Sequence, residues 1–230
     1  MIEQKNGAPV RVVLVDDHAV VREGYRRLLE RTSDIVVVAE AATGADAYRV
    51  ICDMQPDVAV MDINLPGIGG IEVVRRLIAR MPGQKVLMFS MHEDTMFSSR
   101  ALQAGARGYV TKSSAPEVLI EAVRLVAAGK LYISDEMAQE LAMQMIPGKE
   151  NPIDALSSRE FEVFRLLVAG HSLQEISRVL SLSYKTVANY QSSIRQKLDV
   201  ENTAQVVRIA LNHGLIDNAA NADEARESQP

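Results

Sequence analysis

The first half of the chain alternates short apolar runs with amphipathic stretches, and it does so five times. The amphipathic stretches repeat their apolar positions at helical spacing, as in Val20 to Glu30 and Ile71 to Arg80. The apolar runs lie at 11–15, 35–39, 57–61, 85–89 and 107–110. Near-continuous β-branched runs of this length are typical of parallel strands that are buried on both faces. The pattern therefore predicts an α/β, flavodoxin-like doubly wound domain over residues 10–130, with strand order 2-1-3-4-5.

The strand pattern stops after Gly129, and only helical periodicity follows. Ser134 stands where an N-cap is expected, at the start of an amphipathic stretch that runs to about Met145. Pro147 to Pro152 combines proline, glycine and charged residues, a composition typical of a flexible connection. We therefore interpret residues 131–153 as a linker helix followed by a flexible linker.

Four short amphipathic helices are predicted between residues 154 and 216, at 157–169, 173–180, 184–198 and 203–213. The first begins with a capping box, in which Ser157 is the N-cap and Glu160 lies three residues later. Four short helices in a segment of this length predict a small all-α domain, separate from the predicted sheet. The final segment, 217–230, is acidic and polar, and we expect a disordered tail there.

The composition excludes several classes of protein. The chain has 230 residues, of which 47% are hydrophobic, so a buried core is expected. The single cysteine, Cys52, rules out an intramolecular disulfide and fits a reducing compartment. No apolar stretch reaches the length of a membrane span, so we expect a cytoplasmic protein with no membrane partner. The net charge of −5 argues against a protein that coats nucleic acid over its whole surface.

Polar groups follow four of the predicted strands at the point where each strand ends. They are Asp16-Asp17, Asp62, Ser90 and Lys112. Because the ligands of open α/β sheets lie outside the carboxyl ends of the strands, these groups are expected on one rim. Neighbouring carboxylates repel each other unless a cation intervenes, and Mg²⁺ prefers hard oxygen ligands. The sequence therefore predicts a Mg²⁺ site with Asp17 and Asp62 as direct ligands, the backbone carbonyl of Asn64 as a third and Asp16 bound through water.

Asp62 is the candidate nucleophile of this site, because a carboxylate can accept a phosphoryl group to form an aspartyl phosphate. Lys112 and Mg²⁺ would neutralise the charge on the transferred group, and the Ser90 hydroxyl would donate to one of its oxygens. Each residue alone has a simpler interpretation as a helix cap or loop residue. All four strand ends carry a suitable group in a suitable order, and this combination favours the phosphoryl site.

Residues 172–190 form two predicted helices joined by a tight turn. The second helix falls in the segment 178–198, which has four basic residues and no acidic one. Apolar residues at helical spacing are expected to form one core stripe on each helix. These residues are Ile176, Val179 and Leu180 on the first helix, and Val187, Ile194 and Leu198 on the second.

A helix-turn-helix places the N-terminal part of its second helix in the major groove of double-stranded DNA. The candidates for phosphate and backbone contact are Ser183, Lys185, Thr186, Arg195 and Lys197. Asn189 can pair with adenine through two hydrogen bonds, and Ala188, Ser192 and Tyr190 are weaker base-reading candidates. The alternative is a solvated helix face without a ligand.

Residues 10–130 resemble a response-regulator receiver domain. The resemblance is carried by VDDH at 15–18, MDINLPGIGG at 61–70, FSMH at 89–92 and GYVTKS at 108–113. It implies that a sensor histidine kinase supplies a phosphoryl group to Asp62, and that the protein signals rather than acting as an enzyme. The matching positions imply an acidic pair, a switch hydroxyl, a switch aromatic and a lysine: Asp16 and Asp17, Ser90, Tyr109, and Lys112. In the implied switch, Ser90 moves toward the phosphoryl group and Tyr109 follows.

Residues 154–215 resemble the LuxR-type helix-turn-helix, through LSSREFEVFRLLVAG, EISRVLSLSYKTVANY and IRQKLDV. The whole chain is thus similar to the NarL/FixJ family of response regulators, and the segment 134–154 is similar to the GacA/UvrY type within it. The resemblance implies a phosphorylation-controlled transcription regulator that binds DNA as a homodimer. In the family the last helix forms the dimer contact, so Val206 and Ala210 are the expected interface residues.

Two other functions compete with this interpretation. A Mg²⁺-dependent phosphatase could use the same carboxylates, but Asp62-Ile63-Asn64 lacks the second aspartate that phosphatases of the haloacid dehalogenase type use as acid and base. A receiver-like module that is never phosphorylated is disfavoured by the full acidic set. The kinase, its stimulus, the DNA sequence, the sign of regulation, the dimerising surface of the receiver and any masking between domains stay open.

Overall fold

A computed structural model describes residues 8–91, 95–144 and 152–212. Most of the predicted flexible linker (147–151), the end of the predicted all-α domain (213–216) and the predicted tail (217–230) lie outside these residues. The chain divides into two compact units, Met1–Pro147 and Gly148–Pro230. Among the helices in the described ranges, none is long and apolar enough to cross a membrane.

The first unit contains a five-stranded parallel sheet with the order β2-β1-β3-β4-β5, which confirms the predicted topology. The strands are β1 (Val10–Val15), β2 (Ile35–Ala41), β3 (Val58–Met61), β4 (Val86–Ser90) and β5 (Gly108–Thr111). The helices are α1 (Ala19–Glu30), α2 (Gly44–Met54), α3 (Gly70–Arg80), α4 (Thr95–Gln103), α5 (Pro116–Ala127) and α6 (Asp135–Gln144). Each of the five strands is followed by a helix, as the sequence pattern predicts.

One face of the sheet packs against α1 and α5. Its core joins alternate strand residues, such as Val12 and Leu14 of β1, to Leu29 of α1 and to Leu119 and Val123 of α5. Successive side chains of a strand point to opposite faces, so the intervening residues of β1 and β3 are directed to the other face. All four residues of β3 are buried, because the central strand is covered on both sides.

Backbone hydrogen bonds bring the carboxyl ends of the strands into line. The Asp62 N–H donates to the Val15 carbonyl at 2.9 Å, and the Lys112 N–H donates to the Ser90 carbonyl at 2.7 Å. The Asp16 N–H donates to the Ala41 carbonyl at 3.1 Å. The residues that follow β1, β3 and β5 therefore meet at one edge of the sheet.

The segment after α5 packs on the first unit, although the sequence assigns it to a linker. The Tyr109 N–H donates to the Tyr132 carbonyl at 2.8 Å, and the Tyr132 N–H donates to the Arg107 carbonyl at 3.1 Å. This bridge covers the free edge of β5. Helix α6 contacts α4 and begins where the sequence predicts, because the Met137 N–H donates to the Ser134 hydroxyl at 3.2 Å. Residues 131–144 are thus part of the first compact unit rather than a free connection.

The second unit consists of a short 3-10 turn (Pro152–Ala155) and the helices α7 (Ser158–Val168), α8 (Leu173–Val179), α9 (Tyr184–Lys197) and α10 (Thr203–Asn212). Helix α7 contacts each of the other three helices. The buried side chains include Phe161 and Phe164 of α7, Ile176 of α8 and both Val187 and Ile194 of α9. The four predicted helices are confirmed with boundaries that differ by one residue at most, apart from the undescribed end of α10.

For one residue, Val179, the prediction that it belongs to the core is wrong. Val179 is 60% exposed, whereas Ile176 on the same helix is fully buried. Helix α8 has only seven residues, and Val179 is its last. The chain turns away immediately afterwards, with Ser181 at a positive φ of 51°. The last residue of such a short helix can therefore be exposed, although its spacing places it on the buried face.

Serine residues begin three helices of the second unit. Ser157 and Glu160 form the predicted capping box of α7, and Ser172 with Glu175 forms a second box at α8. Ser183 caps α9 by accepting the Thr186 N–H at 3.1 Å. These caps satisfy N–H groups that have no partner inside the helix, and they fix where each helix starts.

Candidate phosphoacceptor site and DNA-binding helix

An ammonium group lies between two carboxylates at the carboxyl edge of the sheet. Lys112 Nζ is 2.6 Å from Asp16 Oδ2 and 2.6 Å from Asp62 Oδ2. All three side chains are at least 93% buried. The strand-end residues that the sequence places on one rim are therefore in direct contact. We call Asp16, Asp62 and Lys112 the buried charge cluster.

In this cluster, burial and ion pairing shift the pKa of Asp62, and that of Lys112, in opposite directions. Burial raises the pKa of the Asp62 carboxyl above its usual value; the Lys112 ammonium opposes this shift, and the Asp16 carboxylate adds to it. Burial disfavours the charged form of Lys112, but the Asp62 and Asp16 carboxylates outweigh it and raise the lysine pKa. Each charge is kept by its neighbours, because an unpaired charge in this environment would be costly.

Asp17 lies beside the cluster without joining it. Its Oδ1 is buried and has no hydrogen-bond partner of good geometry, although His18 Nδ1 lies 2.8 Å away. Potential ligand atoms of Asp16, Asp17 and His18 lie within 4.8 Å of one another. A buried carboxylate oxygen without a donor fits a hard cation such as Mg²⁺. Lys112 supplies the positive charge next to Asp62 in this structure, and the set of Asp17, Asp62 and the Asn64 carbonyl stays a prediction.

Both predicted switch residues are buried. Ser90 is the last residue of β4 and is fully buried, one position along the ladder from Lys112. Tyr109 lies in β5 with a side chain that is 1% exposed. Asn64 is exposed, and its N–H is 3.4 Å from Asp62 Oδ1. The structure thus brings Asp16, Asp62 and Lys112 into contact and positions Ser90 at the end of the neighbouring strand.

Two further residues support the site and were missed by sequence reasoning. Arg22 donates to the backbone carbonyl of Asp16 at 2.6 Å and pairs with Glu40 at 2.8 Å, which holds the end of β1. Gly70 begins α3 directly against the phosphoacceptor loop, and a Cβ added there would lie 2.0 Å from the Asp62 carbonyl oxygen. The glycine pair in MDINLPGIGG is the signal that could have indicated this close approach.

In the second unit, the exposed surface of α9 carries three base-reading candidates and the phosphate-contact candidate Lys185. Lys185, Ala188, Asn189 and Ser192 follow the spacing i, i+3, i+4 and i+7, so they lie in one row. Lys185, Asn189 and Ser192 are exposed, and Ala188 is half-buried. The opposite side of the helix carries the buried Val187 and Ile194. Helix α9 therefore presents a polar row away from the core, as a recognition helix requires.

The remaining DNA candidates have partners within the protein. The Ser183 hydroxyl accepts the Thr186 N–H and lies 2.8 Å from the Thr186 hydroxyl. Arg195 donates to the Glu201 carbonyl at 3.4 Å. Lys197 Nζ lies 2.6 Å from Glu160 Oε2, in an ion pair whose lysine side chain is 38% exposed. Both Lys197 and Lys185, at opposite ends of the helix, are exposed, and the ion pair with Glu160 is what distinguishes Lys197.

The predicted dimer residues are buried in the second unit. Val206 is 1% exposed and Ala210 is fully buried, and α10 contacts α7. Side chains without accessible surface cannot provide a contact for another chain in this conformation, so the expectation for Val206 and Ala210 is corrected. The exposed described residues of α10 include Ala204 and Arg208.

Comparison with known families agrees with the two units. Residues 12–124 match the response regulator receiver domain, and residues 154–210 match the bacterial regulatory proteins of the luxR family. The chain is 38% identical to the response regulator GacA of Pseudomonas aeruginosa over 213 residues, which cover 92% of this chain and 100% of GacA. It is also 38% identical to UvrY of Escherichia coli K12 over 208 residues, 90% of this chain and 95% of UvrY.

A solved complex extends this comparison to the structure. The two-component response regulator RcsB, in its complex with DNA, is 26% identical with a TM-score of 0.55, and the match covers 87% of this chain and 97% of RcsB. The chain belongs to the response regulators that join a receiver domain to a LuxR-type DNA-binding domain. Proteins of this family are transcription factors rather than conventional enzymes.

Proposed function

We propose that Asp62 accepts a phosphoryl group from a sensor histidine kinase and that this event controls DNA binding by the second unit. The observation that carries the proposal is the position of Lys112, whose ammonium group contacts both Asp16 and Asp62 at 2.6 Å. An ammonium beside the accepting carboxylate can stabilise the negative charge of the transferred group. Because the target is DNA, the cytoplasm of a bacterium is the compartment in which the protein would act.

Asp17, Asp16 and Asp62 are the residues that would hold Mg²⁺ near the phosphoacceptor. Asp17 Oδ1 supports this role, since a buried carboxylate oxygen without a well-aligned donor can be satisfied by a cation. The Asn64 backbone carbonyl remains the predicted third direct ligand. When bound, the cation would neutralise part of the phosphoryl charge. Lys112 holds the carboxylates of Asp16 and Asp62 in position before any phosphoryl group arrives.

Ser90 and Tyr109 would report phosphorylation to the rest of the receiver. The proposal is supported by the backbone ladder that ties Ser90 to Lys112, and by the hydrogen bond from the Tyr109 N–H to Tyr132. Tyr132 precedes α6, which contacts α4. A displacement of Ser90 or Tyr109 therefore has a short covalent and hydrogen-bonded route to the segment that leads toward the second unit.

Phosphodonor labelling tests the acceptor. Wild type incubated with Mg²⁺ and acetyl phosphate should gain one phosphoryl group, and Asp62→Asn should gain none, as measured by intact-protein mass spectrometry. Asp57→Asn is the matched control, because Asp57 stands just before the opposite end of β3 and accepts the Arg11 N–H at 2.8 Å. Labelling that survives in Asp62→Asn, or that is lost equally in Asp57→Asn, would contradict the assignment. Continuous release of phosphate would instead favour the phosphatase alternative.

DNA-binding curves test the coupling between the units. We expect the phosphorylated protein to bind DNA more tightly and as a homodimer, with Ala188, Asn189 and Ser192 in the major groove. Ser183, Lys185 and Thr186 would lie near the phosphates at the start of α9, and Arg195 further along. Equal affinity and equal mass in solution with and without the phosphoryl group would exclude the switch and leave a constitutive DNA-binding module.

A further inference from the structure

Glu160 joins the first helix of the DNA-binding unit to the helix that carries the DNA row. Its Oε2 accepts the Ser157 N–H at 2.6 Å, which completes the capping box of α7. The same oxygen lies 2.6 Å from Lys197 Nζ, and Oε1 accepts the Ser193 hydroxyl at 2.6 Å. Glu160 is only 5% exposed. One buried carboxylate therefore binds two residues of α9 while it caps α7.

Ser193 and Lys197 lie on a flank of α9 and not in the row that faces away from the core. They are separated by four residues, so they share one stripe of the helix. With 3.6 residues per turn, Lys197 lies about 120° around the helix axis from Lys185. This position is closer to the core stripe of Val187 and Ile194 than to the exposed row. The flank of Ser193 and Lys197 is the side of α9 that contacts Glu160 on α7.

The carboxylate is ionised throughout the physiological pH range. Burial alone would raise its pKa, but the Lys197 ammonium, the Ser193 hydroxyl and the Ser157 donors together lower the pKa of Glu160 to about 2. The negative charge therefore stays beside Lys197 at neutral pH. An ammonium that is paired in this way attracts a DNA phosphate less than a free one does, because its field is largely cancelled at short range.

We propose that Glu160 is a positioning residue for the recognition helix and that Lys197 is its counter-ion rather than a DNA phosphate contact. Glu160 fixes the rotation of α9 by holding Ser193 and Lys197 against α7. The exposed row thereby faces the major groove, and Lys197, the last basic residue of the helix, does not contact DNA. The phosphate contacts of α9 are then made by residues at its start and by Arg195.

The dependence of DNA affinity on salt tests this assignment. Each lysine that contacts a phosphate adds about 0.9 to the slope of log K against log salt, or about threefold in affinity over a fourfold change in salt. The experiment uses the full chain and a mixed-sequence DNA duplex. Lys185→Gln should reduce the slope by about 0.9, whereas Lys197→Gln should leave it unchanged. A Lys197→Gln slope that falls as far as that of Lys185→Gln would overturn the proposal.

Glu160→Gln provides the second test, because glutamine keeps one acceptor oxygen for the Ser157 N–H of the capping box, removes the charge and replaces the other oxygen by an N–H donor. Lys197 is then released, so the slope should rise by about 0.9, and the double variant Glu160→Gln with Lys197→Gln should return to the wild-type slope. Circular dichroism shows whether each variant is folded, and the Lys197→Gln result stands even if Glu160→Gln is not. An unchanged slope in a folded Glu160→Gln variant would overturn the counter-ion role. The binding of wild type itself checks the DNA-binding function separately.

Discussion

The receiver unit keeps the charges of its site below the surface, whereas the DNA-binding unit exposes most of its candidate contacts to solvent. The side chains of Asp16, Asp62 and Lys112 are all buried and the lysine contacts both carboxylates, while Lys185 and Asn189 are exposed on α9. A buried charge requires a defined partner, so the geometry of the first site is fixed before any phosphoryl group arrives. An exposed row requires no partner until DNA supplies one. Energetic coupling between neighbours is therefore expected to be large in the first unit and small in the second.

The largest effect that this comparison predicts is the loss of Lys112. In Lys112→Met, the buried carboxylates of Asp16 and Asp62 lose their shared counter-ion, and we expect the unfolding free energy of the receiver to fall by about 3 kcal/mol. Lys185→Met is the matched control on α9, where a change within about 0.5 kcal/mol is expected because the lysine is exposed. Hydrogen exchange of peptides from β1, β3 and α9, measured without Mg²⁺, reports both units in one protein. If Lys112→Met and Lys185→Met lose equally little stability, the two units do not differ in how strongly their charges are coupled.

A backbone contact gives the next largest effect. Gly70→Ala adds a Cβ where the Asp62 carbonyl oxygen would be 2.0 Å away, so we expect a loss of about 2 kcal/mol and slower phosphodonor labelling of Asp62. Gly24→Ala is the control, because a Cβ at that position in α1 meets nothing within 4 Å. That variant should gain about 0.5 kcal/mol and label at the wild-type rate. Normal labelling in Gly70→Ala would show that α3 can move away from the site without cost.

Glu160 is the exception within the second unit, and its behaviour sharpens the comparison. Its pKa is lowered from 4.5 to about 2 in the folded state, so the stabilisation that it provides is present above about pH 4.5 and is lost as the pH falls toward 2. At neutral pH we expect Glu160→Gln to lose about 1.5 kcal/mol, since several charge-assisted hydrogen bonds weaken. The difference between wild type and Glu160→Gln in thermal unfolding should disappear across this acidic range. A difference that is as large at pH 2.5 as at neutral pH would mean that the charge does not carry the stabilisation.

The receiver site could be predicted from the sequence because parallel strands in register carry their ends to one edge. Four strand ends with suitable side chains then determine which residues meet, as Asp16, Asp62 and Lys112 do. What the pattern could not provide was the pairing within the set. Lys112 contacts two carboxylates at once, and Arg22 holds the backbone of Asp16 from α1. These details depend on side-chain directions that strand spacing does not encode.

In the second unit, the number and boundaries of the helices could be predicted from the sequence. Which face of each helix is buried could not be predicted in every case. Helical spacing predicts that Val179 is buried, and the family resemblance implies that Val206 and Ala210 lie at a dimer contact, but Val179 is exposed and Val206 and Ala210 are buried. Which apolar stripe is covered depends on how α7, α8 and α10 cross. The second role of Glu160 was missed for the same reason, since Ser193 is 33 residues away in the sequence. A capping box by itself gives no sign of that partner.

The smallest predicted effect concerns the exposed row itself. In Asn189→Ala, we expect no change in stability and only a weak change in affinity for a mixed-sequence duplex, because no internal contact is lost. The preference for one base pair should relax by about 1 kcal/mol, as measured by selection of bound sequences from a random pool. Gln196→Ala is the matched control, since Gln196 is an exposed amide almost two turns further along α9, beyond the part of a recognition helix that enters the groove. If both variants select the same sequences as wild type, Asn189 does not read the bases, and Ala188 and Ser192 do. If both variants lose selectivity, residues beyond the N-terminal half of α9 also enter the groove.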